Sequence, residues 1–146
     1  MLLSSHIIVS GILGVQTGNY FLAAALGLIS HYALDAIPHW DYYISPNFDF
    51  KAKNEGWRFL KGKFFAKELI KISADILVGL ILVFIFLKIS GEINLIPVFI
   101  AVFFGVLPDP LQLLYLITNW RFLKPNHDIQ YYLHTLIYKK KPSLAV

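Results

Sequence analysis

The sequence predicts an all-α fold: a small polytopic membrane helix bundle of about four transmembrane segments plus a C-terminal interfacial helix. Three observations carry that expectation. Of 146 residues, 57% are hydrophobic and only 15% charged, with a mean hydropathy of +0.60, too apolar a balance for a soluble domain of this size. The apolar residues are gathered into long runs. The 13 basic residues are segregated, with six in 42–67 and five in 119–146, the pattern of loops kept on the cytoplasmic side. The length fits a single integral membrane domain covering residues 1–146.

Residues 2–15 (LLSSHIIVSGILGV) form the first apolar segment. It has no basic region before it and no small-residue cleavage site, so it reads as a membrane helix and not as a secretory signal. At helical rise it reaches about 21 Å against a hydrocarbon core of roughly 30 Å, so it either spans a locally thinned bilayer or forms a partly re-entrant hairpin. Gln16-Thr17-Gly18-Asn19 is a turn. The second segment, 20–37, carries Ala23, Ala24, Ala25 and Gly27, small residues that let helices approach closely in lipid.

Residues 42–67 differ in kind, with Pro46, Gly56 and Gly62 as breakers and basic residues interleaved with aromatics. That mixture suits single-stranded nucleic acid in a soluble protein, but between membrane segments it reads as a cytoplasmic loop lying on anionic headgroups. Residues 69–89 are the cleanest transmembrane helix, closed by Ser90-Gly91-Glu92. Residues 95–118 supply another, interrupted at Leu107-Pro108-Asp109-Pro110. The tail, 119–146, carries an amphipathic stretch with His127 and His134 seven residues apart, an interval that sets both on one helix face. Four crossings put the long loop and both termini on the cytoplasmic side. The tryptophans and tyrosines fit an aromatic belt.

The chemistry concentrates at the end of the second segment, in Ser30-His31-Tyr32-Ala33-Leu34-Asp35-Ala36-Ile37-Pro38-His39-Trp40-Asp41. His31 and Asp35, four residues apart, stack on one helix face, and Pro38 turns His39 and Asp41 onto the loop beyond. Imidazoles and carboxylates converging at a helix end suit a divalent metal. Topology then brings other polar groups to the same side: His6 near the start of the first segment, Asp75 in the third, Asp109 in the fourth, and His127 and His134 in the tail. An ionised carboxylate at membrane depth costs ~2.5–3.5 kcal/mol unless paired, so Asp75 and Asp109 ask for a site or a partner. With no cysteine in the chain, thiolate ligands, disulfides and cysteine nucleophiles are excluded. Serine-elbow, phosphate-loop and zincin motifs are likewise missing from the sequence.

The N-terminal His6, the small-residue helix ending SHYALDAIPHWD and the later Leu107-Pro108-Asp109 resemble the YdjM-like inner-membrane metal-dependent hydrolases, themselves distantly similar to zinc-dependent phospholipase C. The resemblance implies metal-ligand roles for His6, His31, Asp35 and Asp109, with His39 and Asp41 at the rim. The chain departs from that pattern in lacking a sizeable soluble domain and in bracketing Asp109 with prolines.

The expectation is therefore a divalent-metal site, zinc first with manganese or iron as alternatives, drawing on His6, His31, Asp35, His39, Asp109, His127 and His134. Asp41 or Asp75 would act as general base on a metal-activated water. The substrate expected is a phosphoester of a membrane lipid at the cytoplasmic face, beside the lysine-rich loop. Two other classes compete: an ion, proton or metal transporter, and a non-enzymatic membrane scaffold. Oligomeric state is not legible.

Overall fold

The structure, a computed structural model, describes residues 2–37, 63–91 and 94–140. Its regular elements are helical: α1 (Leu3–Val15), α2 (Tyr20–Asp35), α3 (Lys63–Ser90), α4 (Leu95–Val106), α5 (Pro108–Thr118) and α6 (Lys124–Lys140), with a 3-10 turn at Arg121–Leu123 before α6.

The element boundaries follow from local chemistry. Asn19 opens α2, its side-chain oxygen accepting from the backbone N–H of Phe21 at 2.9 Å and of Leu22 at 3.1 Å, donors that would otherwise be orphaned. Pro38 follows closely behind α2 and disfavours helical backbone at the residue before it. Gly91 closes α3 at φ +69°, and Asn119 closes α5 at φ 54°, both left-handed conformations that these residue types tolerate. The third helix begins at Lys63, earlier than its apolar core, because residues 63–67 continue it back to the breaker Gly62. The remainder of the basic loop, 42–62, lies outside the described residues.

At the Leu107-Pro108-Asp109-Pro110 interruption the chain does not leave the helical path. Leu107 keeps right-handed helical angles (φ −52°, ψ −39°), and Pro108 takes the first position of α5, where its missing N–H costs nothing. Among the described residues, Leu95–Leu116 is consequently one of two helical stretches long and apolar enough to cross a membrane, the other being Leu69–Ser90. The α1 and α2 helices, at 13 and 16 residues, fall below that length, so four full-length crossings are not seen among the described residues.

Packing is organised around α1, which lies against α2, α3 and α4, while α2 also packs on α4 and α6 packs on α5 and reaches α2. Close approach needs small residues. A Cβ on Gly27 would stand 2.2 Å from the Ala101 carbonyl oxygen, and one on Gly79 would stand 2.9 Å from the Ser4 Cα. Gly27 faces Ala101 while His31 faces Gly105, so α2 and α4 run parallel in a register stepping one turn on each. The expected result of Gly27→Leu is a loss at or above the upper end of the ~1–3 kcal/mol typical of overpacking, because the clash is with backbone. Thermal unfolding in detergent micelles checks it; an unchanged melting temperature would mean that the two helices are not in this register.

Among the described residues, polar side chains share the interior with apolar ones, and large apolar side chains also lie outside. An apolar cluster of Ile7, Val83, Leu87 and Val98 is buried, but so are Ser4, His6, Ser10, Ser30, His31, Asp35 and Gln130. Outside, Leu77, Val78, Ile81, Phe84 and Ile85 of α3 and Phe99 and Phe103 of α4 are exposed. That is the arrangement expected where the solvent is lipid and the interior carries the polar work.

Candidate metal centre

The centre is built where the start of α1, the end of α2 and the α4–α5 junction meet. His31 and Asp35 occupy successive turns of α2, and His6 arrives from α1. The ligand atoms of His6, His31 and Asp35 lie within 4.8 Å of one another, and all three residues are buried. Asp35 bridges the Nε2 edges of the two rings: His6 Nε2 is 3.4 Å from Oδ1, and His31 Nε2 is 3.2 Å from Oδ2. The rings themselves stack, with centroids 4.3 Å apart.

The orientation of His31 is fixed from behind. Its Nδ1–H donates to the Gly105 carbonyl at 2.8 Å. Gly105 belongs to the last turn of α4, where carbonyls run short of helical donors, and its oxygen is the acceptor that the histidine uses. With Nδ1–H committed to the carbonyl, Nε2 is the ring nitrogen that faces the carboxylate, and as a neutral imidazole it offers a lone pair to an ion. Asp109, in the first turn of α5, brings a second carboxylate, its Oδ1 3.6 Å from His31 Nε2. Two carboxylates, one buried and one part-exposed, gathered at the same imidazole call for a positive charge, which a bound ion or a ring proton supplies. Two imidazoles and a carboxylate are a donor set that zinc, manganese and iron accept, and the residues fit such an ion. The Nδ1 of His6 has no hydrogen-bond partner among the described residues, so its ring is held by stacking and by Asp35 alone.

Burial separates the members by role. The side chains of His6, His31 and Asp35 are 1%, 0% and 3% exposed, whereas that of Asp109 is 39% exposed. Asp109 is therefore the accessible edge of the centre.

Other expected site residues are placed elsewhere. The Asp75 carboxylate accepts from the Ser4 backbone N–H at 2.9 Å, a negative charge at the positive end of α1. His127 stacks on Tyr115 at 4.6 Å between centroids. Neither belongs to the group of three. His39 and Asp41 lie outside the described residues, as does the side chain of His134.

Two carboxamides of α6 were not among the expected site residues. Asn126 accepts from the Tyr32 hydroxyl at 2.7 Å and donates to the Pro108 carbonyl at 3.0 Å. Gln130, one turn on and 2% exposed, puts its Nε2 3.2 Å from His31 Nε2 and 3.5 Å from Asp109 Oδ1. The signal was present: the seven-residue interval that sets His127 and His134 on one face encloses Gln130, three residues after the first. Comparison with protein-family models, with curated proteins and with solved structures finds no match to the chain.

Proposed function

We propose that this protein is a membrane-embedded metal-dependent hydrolase cleaving a phosphoester of a lipid, or of another membrane-associated substrate, at the cytoplasmic face. In this reading α1 and α2 complete the crossings begun by the two longer apolar stretches, with both termini and the 42–67 loop inside, where lysines meet anionic headgroups. The observation that carries the proposal is the buried convergence of His6, His31 and Asp35 beside a half-exposed Asp109.

His6, His31 and Asp35 would hold a divalent ion, zinc first with manganese or iron as alternatives, which when bound supplies Lewis-acid polarisation of a phosphoryl oxygen and acidifies water. The Gly105 carbonyl keeps the His31 ring in place through Nδ1–H, so the ring does not have to reorient during turnover. Asp109, at the accessible edge, is positioned to accept the proton of an attacking water. Asp75, engaged with the α1 terminus, supports the helix that delivers His6. The apolar exterior of α3 and α4 keeps the protein in the same phase as a lipid substrate.

The test is ion analysis of the purified full chain in detergent micelles, together with release of the phosphorylated headgroup from an anionic phospholipid. A bound divalent ion, and hydrolysis that a chelator abolishes and the ion restores, are expected. A folded protein that binds no divalent ion would overturn the reading. Ion flux in proteoliposomes without hydrolysis would assign the same residues to transport.

A further inference from the structure

We infer that Gln130 is a ligand of the metal centre, so that α6 forms part of the site and is not only an interfacial appendage. The inference rests on the metal reading above and extends it to a residue type that carries no charge.

A carboxamide has two faces, an NH2 that donates and an oxygen that accepts, related by a half-turn of the side-chain end. Gln130 directs Nε2 at two acceptors at once, the Nε2 of His31 at 3.2 Å and Oδ1 of Asp109 at 3.5 Å. An NH2 group satisfying a lone pair and a carboxylate together occupies the role that a cation takes toward those same two atoms. A half-turn of the amide then presents Oε1 to an ion bound at His31 Nε2, with no movement of α6. Side-chain carbonyl oxygens of this kind are ordinary ligands for hard and borderline divalent ions.

The backbone that carries Gln130 is held for that purpose. One turn earlier Asn126 bridges the Tyr32 hydroxyl of α2 and the Pro108 carbonyl of α5, the two helices that supply His31 and Asp109. Gln130 is itself 2% exposed, on a helix whose neighbouring Ile129, Tyr131 and Tyr132 are exposed. A buried, aimed carboxamide on an otherwise outward-facing stretch needs a partner, and the centre is what it faces.

The experiment titrates the purified full chain in detergent micelles with Zn2+ and, separately, with Mn2+, reading free ion; apo-protein melting confirms folding. Gln130→Leu is expected to weaken binding on the order of 10–100-fold, and Gln130→Glu, which restores an oxygen at the same reach, to recover it. Unchanged or tighter binding in Gln130→Leu, while His31→Ala loses the ion, would remove Gln130 from the ligand set and leave the metal reading standing. Wild-type protein that takes up neither ion would end both. Should Gln130→Leu melt early as apo-protein, Gln130→Glu carries the decision: binding weaker than wild type in a folded Glu variant overturns the inference.

Discussion

Replacing His31 by alanine is expected to abolish stoichiometric divalent-ion binding and to destabilise the apo-protein by about 3–5 kcal/mol. The size follows from how much converges on one ring. His31 is fully buried, donates to the Gly105 carbonyl at 2.8 Å, stands 3.2 Å from Asp35 and 3.6 Å from Asp109, and stacks on His6. Truncation leaves a carboxylate in a buried space with one imidazole instead of two, and strips the donor from a terminal carbonyl of α4. It also opens a void between three helices, since α2 and α4 touch through glycine at Gly27 and Gly105 and cannot close further. The two losses separate experimentally. Ion content measures the first, and melting of chelator-treated protein the second; added ion should raise the melting temperature of wild type and not of His31→Ala. Retained ion in His31→Ala would move the binding site away from this cluster.

Some of this was readable from residue spacing. His31 and Asp35 share a helix face by their interval, and that pair is the heart of the centre. His6 and Asp109 required an additional step, the assignment of chain positions to one side of a bilayer, and they do meet the pair. Asp75 obeyed the same depth argument and went to a different partner, the Ser4 N–H, 71 residues away along the chain. A helix terminus attracts a carboxylate as well as a metal does, and spacing along the chain does not distinguish them. Gln130 and Asn126 escaped notice for the opposite reason. Uncharged carboxamides in an amphipathic helix carry no desolvation alarm, and only their facing partners on α2 and α5 reveal what they do. The packing of α2 on α4 was foreshadowed by the Ala/Gly face, but not its register, which Gly27 against Ala101 fixes.

Asp109→Asn is expected to leave ion binding within about tenfold of wild type while lowering hydrolysis on the order of 10²–10⁴-fold, the usual contribution of a positioned base. The asymmetry comes from exposure. With a side chain 39% exposed, Asp109 contributes less to a buried ion than Asp35, at 3%, yet it is the carboxylate that an attacking water can reach. Asparagine preserves shape and an oxygen for the Gln130 donor, so the docking of α6 should survive and the melting temperature should barely move. What it loses is the capacity to accept a proton. A base works deprotonated, so the wild-type rate should climb with pH through the titration of Asp109, and that acid limb should flatten in the variant. A matched pH series of wild type and Asp109→Asn on the same phospholipid micelles measures this directly. If the variant instead loses the ion as completely as His31→Ala, Asp109 is a ligand, and the proton must pass to another group. If ion and rate are both unchanged, the exposed edge of the centre is not where the bond is broken.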